Sequence, residues 1–293
     1  MPVHLNDDVL RLVADHLRFA PEPWVYRPAR RDFLALALTC KAWHAIGIEQ
    51  LYREINVEAE RAAQVVEALK RNESRTDLVR GLVLRPTERK VSRVKQESPA
   101  RTAAIVNLVQ RCTLLTNMSL RGADYDLPPV LQAIQHIPHF TNIRRLTIVA
   151  LQLWQKLDLR TIFVLLDRAT QLEHFKLRLH MRWPIDLSLF ESPTTLFRLK
   201  SLSLRLKTAT GPPDHFRPFL LSRFDPSHLT SFTYLGDLTE LSLHRFIARA
   251  GTLTSLRLHH TNWRHPNVFQ HIHNLLHSLP ALRTLLVRKD GNG

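Results

Sequence analysis

Glycine is scarce in this sequence, with 8 residues in 293. No GxGxxG segment, P-loop or GxSxG elbow can be assembled from them, and there is no HExxH, so glycine-loop nucleotide binding and the familiar hydrolase chemistries are set aside. Cysteine is scarcer still. Cys40 and Cys112 cannot build a disulfide framework and neither belongs to a CxxC pair, a usage that fits a reducing compartment. No apolar run approaches the ~20 residues that a membrane-spanning helix needs. The first residues include Asp7 and Asp8 and lack the basic-then-apolar order of a signal peptide. A cytoplasmic or nuclear protein with no membrane association is therefore expected. Acid is also in short supply: 26 Asp and Glu against 41 Lys and Arg leave a formal charge of +15. Such a surface attracts acidic or phosphorylated protein or nucleic acid, unless it is simply a set of solvated basic faces.

What the chain has in quantity is leucine in phase. The pattern apolar-x-x-apolar-x-apolar begins at Val79, Leu115, Ile143, Leu172, Leu199, Leu229, Leu253 and Leu282. Successive copies start 24 to 36 residues apart, at or near the repeat length of leucine-rich solenoids. One such hexamer means nothing in a leucine-rich chain, whereas eight in near-regular phase predict eight short strands. Between them lie helical stripes, for example Val130, Leu131, Ile134 and Ile137, and Val268, Ile272, Leu275 and Leu279. Each unit reads as one strand and one helix, with parallel strands stacked along one concave surface.

The repeats resemble leucine-rich repeats over roughly residues 78–293. The family's turn Asn or Cys, three residues after the last apolar position, is replaced here by residues such as Thr87, Ala123, His180 and Asp237, so an irregular solenoid is expected. The stretch 85–101, polar and basic with Pro86 and Pro99, reads as a long loop.

The first fifty residues differ in kind. A stripe of Val9, Leu12, Val13, His16 and Leu17 predicts a short amphipathic helix with acid at its positive end. A second helix is expected from Phe33, with Asp32 as its N-cap, after an insertion over residues 20–29. It is apolar nearly all round, which calls for burial on both sides, supplied by an external protein or by the adjoining repeats. It runs into Cys40-Lys41-Ala42-Trp43 and a third segment ending at Leu51-Tyr52-Arg53-Glu54-Ile55. Cys40 reads as a small packed hydrophobe rather than a nucleophile.

This arrangement resembles the F-box over about residues 4–55, carried by Leu5 with its acidic run, Val9, Leu17, Asp32, Leu34, Leu36, Leu38, Cys40, Lys41 and Trp43. Asn6 stands where the family usually has proline. The resemblance implies docking onto the Skp-type adaptor of a cullin-RING ligase through Leu5, Val9, Val13, Leu17, Leu34, Leu36, Leu38, Cys40 and Trp43. The expected organisation is α/β: an F-box-like three-helix motif over 1–57, then an irregular leucine-rich-repeat solenoid over 58–293 with its parallel sheet on the concave face. The bland alternative is that the helices merely cap the solenoid.

Strand alternation turns one set of side chains away from the core. Arg121, Arg178, Arg205, His259 and Arg288 follow their hexamers directly, and Lys176 and Arg257 sit between the last two apolar positions. These seven residues are expected to form a basic strip for a client protein, acidic or phosphorylated. His273 and His277, spaced i, i+4, form a metal-type pair with no Cys or carboxylate in ligand spacing, and no metal or cofactor is expected. The leading expectation is a non-catalytic substrate-recognition subunit of an SCF-type ubiquitin ligase. The rival is a basic leucine-rich scaffold or nucleic-acid-binding protein, which finds no standard nucleic-acid motif and no interleaved aromatics to support it.

Overall fold

Apolar residues at alternate positions of each hexamer give strands with one buried face, and the computed structural model assembles them into a single large sheet. It describes residues 10, 12, 26–85, 99–122, 127–153, 159–181, 196–208, 216–236, 241–260 and 268–289. Two helices come first, α1 (Tyr26–Ala37) and α2 (Lys41–Arg53). They pack closely at Gly47, where an added Cβ would lie 2.8 Å from both Ala37 Cβ and the Phe33 carbonyl oxygen. Leu10, Phe33 and Ile46 form a small core of their own, with Leu36, Trp43 and Leu51 against it.

Three expectations about this region are corrected. Helix α1 starts at Tyr26, so Asp32 lies inside it and is no N-cap, and part of the expected insertion is helical. Pro28 falls in the first turn, where its missing N–H has no helical partner to lose. The rest of the chain does not supply the cover on both sides: Phe33 and Ala37 are buried, but Leu34 is 52% exposed and Leu38, in the turn after α1, is 77% exposed. Cys40 is exposed rather than packed. Of the expected first helix only Leu10 and Leu12 are described, both helical; Leu5, Val9, Val13 and Leu17 lie outside the described residues.

After α2 the chain enters β1 (Glu54–Glu58), α3 (Ala62–Lys70), β2 (Gly81–Arg85), α4 (Pro99–Arg111), β3 (Asn117–Gly122), α5 (Leu127–Ile134), β4 (Arg145–Leu153), α6 (Leu159–Arg168) and β5 (His174–Met181). It continues through β6 (Phe197–Arg198), β7 (Ser201–Thr208), α7 (Phe216–Ser222), β8 (Phe224–Asp225), β9 (Ser231–Gly236), α8 (Leu241–Ala248), β10 (Ser255–His260), α9 (Val268–His277) and β11 (Thr284–Lys289). Nine strands form one sheet in the order β1-β2-β3-β4-β5-β7-β9-β10-β11, and β6 pairs with β8 apart from it. Every pair is parallel. The fold is therefore α/β with a parallel central sheet.

The sheet begins at Glu54, inside the segment assigned to the N-terminal motif, so the boundary expected after residue 57 cuts through β1. Tyr52, Ile55 and Val57 repeat the hexamer once more, 27 residues before the copy at Val79. The loop expected to reach residue 101 ends sooner, because α4 already starts at Pro99.

A recurring backbone device fixes the phase. The amide of the first hexamer residue closes onto the carbonyl three residues earlier at Val79, Leu115, Ile143, Leu172, Leu229, Leu253 and Leu282. The second residue then hands its carbonyl to the next strand: Arg80 O accepts from Thr116 N and Asn117 N, Lys200 O from Thr230 N and Ser231 N, and Thr230 O from Thr254 N and Ser255 N. Thr116, Thr230 and Thr254 add their hydroxyls to the same carbonyls. Among the described residues this ladder uses backbone groups and threonine hydroxyls, with no asparagine side chain in it. The inward rows Leu82–Met118–Leu146–Phe175–Leu202–Phe232–Leu256 and Leu84–Leu120–Ile148–Leu177–Leu204–Tyr234–Leu258 follow from the pairing, and all are buried in one core with the helices. Among the described residues no helix is long and apolar enough to cross a membrane.

Candidate functional site

The other face of the sheet is defined by the same register. One row reads Arg121–Val149–Arg178–Arg205–Leu235–His259–Arg288, each paired with the next across adjacent strands. A second row, two residues earlier, reads Ser119–Thr147–Lys176–Ser203–Thr233–Arg257–Leu286. The structure thus brings all seven basic-strip residues onto one face. Val149 and Leu235 are buried yet lie outside the main core, as residues on this face should. Acidic side chains among the described strand positions of this face are confined to β1, with Glu54 and Glu58, and Glu58 pairs in register with Arg85.

Arg121, Lys176, Arg178 and Arg257 are exposed, and Arg205 is half-buried. Arg205 Nη2 donates toward His259 Nε2 at 3.4 Å. Because β9 separates their strands, the guanidinium passes over Leu235, which accounts for the burial of that leucine. Lys176 has its pKa lowered first by partial burial, then by Arg205, Arg121 and Arg178. The three guanidinium groups are thus close enough to disfavour the lysine charge. Nearby, burial followed by the charge of Arg145 holds His174 below its ordinary value, against the opposite pull of Glu173. Sequence reasoning did not single out the hydroxyls between the cations, Ser201, Ser203, Ser231 and Thr233. The signal was in the hexamer, whose outward-facing positions are small and polar here.

At the other end of the chain, Leu34 on α1 and Leu38 in the turn after it face solvent, while Leu36 and Trp43 are partly buried against the small core. The structure therefore splits the expected adaptor set: Leu34, Leu38 and Cys40 lie outward, and Leu36 and Trp43 support the helix pair from beneath. His44 Nδ1 meets the Ala37 carbonyl at 2.9 Å and ties the two helices together. Tyr52 at the end of α2 accepts from Arg75 Nη1 at 2.7 Å and lies under the Arg75 guanidinium, which fastens the helix pair to the first repeat.

Among the described residues no three His, Cys, Asp or Glu side chains converge as a metal site would require. His273 and His277 meet through their Nε2 atoms at 3.1 Å on an exposed face of α9. Cys112 is buried, and that burial raises its thiol to about 12, far from nucleophilic use. No known protein-family model and no curated protein matches this chain.

Proposed function

We propose that the chain is an F-box-like helical motif joined to an irregular leucine-rich-repeat solenoid, and that it serves as the substrate-recognition subunit of an SCF-type ubiquitin ligase. Sequential parallel strands, the helix after nearly every strand and the turn repeated at seven hexamers support the solenoid reading. The observation that carries the functional reading is the pair Leu34 on α1 and Leu38 in the turn that follows it, two large apolar side chains left in water. They stand beside the Cys-Lys-x-Trp junction that resembles the F-box. Exposed leucines so placed suit a protein contact. The Skp-type adaptor docks there, and the basic sheet face holds the client. This chain makes and breaks no bond of its own in that scheme.

The test separates docking from folding. Replacing Leu34 and Leu38 with Asp should abolish capture of the adaptor and its cullin from the native cell, while far-UV circular dichroism stays unchanged because both side chains are already in solvent. Undiminished capture by the folded double variant sinks the reading. Nucleic acid recovered in place of adaptor moves the balance to a basic scaffold whose helices only cap the repeats.

A further inference from the structure

The basic face is not uniformly basic, and its pattern has a length scale. Lys176 on β5 and Arg257 on β10 occupy the same register row, separated by Ser203 on β7 and Thr233 on β9. Three strand spacings of ~4.8 Å place the two cations about 14 Å apart. The columns between them carry short hydroxyl side chains, including Ser201 and Ser231. In this row long cationic side chains therefore stand on either side of a hydroxyl floor two strands wide, bordered one row along by Arg205, which reaches from β7 toward His259. The β5 side is the stronger pole, since Arg121 on β3, Arg178 on β5 and Arg205 from the border all act on Lys176.

An extended polypeptide advances about 3.3–3.4 Å per residue and turns side chains i, i+2 and i+4 to the same side. Four residue steps therefore span about 13 Å, close to the distance between the poles, with both end residues facing the sheet. We propose that this face binds an extended acidic segment laid across the strands, with anionic side chains four residues apart, one at the Lys176 pole and one at Arg257. The hydroxyls between them bond the segment's backbone. This deepens the reading of the sheet face as the client surface and rests on it. A polypeptide is favoured over a single nucleic-acid strand because the described outward positions from β3 to β11 hold no Phe, Tyr or Trp on which bases could stack.

The probes are fluorescein-labelled ten-residue peptides of Gly, Ser and Ala bearing two glutamates at i, i+4, two at i, i+2, or one alone, measured by anisotropy against the full chain. The i, i+4 peptide should bind about tenfold tighter than either other peptide, the gain of a second charge contact of ~1.4 kcal/mol. Phosphoserine in place of the glutamate at the Lys176 pole should tighten it further. Lys176→Glu and Arg257→Glu should each reduce the i, i+4 peptide to the affinity of the single-glutamate one. Equal affinity for the i, i+2 and i, i+4 peptides, no effect of the folded variants, or tighter binding of an oligothymidylate than of any peptide would overturn the proposal. Adaptor capture by the same two variants is measured alongside. Its loss would count against the separate docking reading at α1, and its retention leaves the peptide result to stand alone.

Discussion

Leu204→Ala removes three carbons from the middle of the sheet, and its effect can be worked from the surroundings. Leu204 on β7 is fully buried, flanked in register by Leu177 and Tyr234, both buried too. The transfer term for three methylene-sized groups at about 0.8 kcal/mol each is ~2.4 kcal/mol. The cavity term depends on how far the neighbours collapse. Tyr234 has little freedom to do so, because its ring sits 6.0 Å from that of Phe232 and within 3 Å of the space where Gly236 would carry a Cβ. A residual cavity of tens of Å³ at ~24 cal/mol per Å³ adds about 1–2 kcal/mol. The total, about 3.5–4.5 kcal/mol, should lower the urea midpoint by roughly 1 M or more, followed in parallel by circular dichroism and fluorescence. Leu285→Ala on the last strand is the internal control, since Leu285 is already 37% exposed; it should lose under about 1.5 kcal/mol. Equal, small losses for the two would mean that the hexamer leucines do not form one continuous core, and the repeat argument would fail with them.

Gly47→Ala drives a methyl into Ala37 and the Phe33 carbonyl, so it should loosen the α1–α2 pair by about 1–3 kcal/mol, as overpacking does. Faster proteolysis within residues 26–53, with the sheet intact by circular dichroism, is the expected signature. In the folded chain one thiol, Cys40, should react with a disulfide reagent at pH 8, and Cys112 only after unfolding, because it is buried with its pKa raised to about 12. Two fast thiols per native chain would contradict the packing around α4. The lowered pKa of Lys176 means that its charged form is less favoured in the fold than in the unfolded chain. That penalty is in force below the folded pKa and fades as pH rises through it toward the ordinary lysine value of ~10.4. Lys176→Gln should therefore raise the urea midpoint at pH 7, by an amount that shrinks toward pH 10; a lowered midpoint at pH 7 would refute the crowding of cations on this face.

The hexamer phase made most of the sheet legible, because one buried face per strand dictates alternation and alternation dictates register. It failed where the copy was weak or its neighbour distracting. The strand at Ile55 and Val57 carried the pattern but sat behind a tail that matched the N-terminal motif. The short pair β6–β8, held by Phe197 and Phe224 at 5.9 Å, has two residues per strand and so no period to detect. Prolines misled at two places. Pro28 and Pro99 each begin or nearly begin a helix, where the lost N–H has no consequence, although the first stretch had read as an insertion between helices and the second as a loop.

The site was legible in position but not in organisation. That Arg178 and Arg205 face the same way follows from the hexamer alone; that they crowd Lys176 depends on which strands are neighbours, and only the pairing supplies that. The charge pattern on the same strands also shows that this sheet accommodates opposite charges side by side. At the strand starts Glu173 and Lys200 form a cross-strand pair at 3.1 Å, which lowers the Glu173 pKa. Three to five residues further along those two strands, Lys176 and Arg178 face Ser203 and Arg205 with no acid between them in the row. Like charges on neighbouring strands oppose folding, and an acidic side chain at Ser203 would relieve the repulsion with the geometry already used at Glu173. Lys176 and Arg178 thus lie on the face that the proposed client would occupy with no acid beside them in their rows, whereas the strand starts carry a local ion pair. A Ser203→Glu variant should therefore gain stability while weakening the acidic peptide, a divergence between urea midpoint and anisotropy that a purely structural role for the basic rows does not produce.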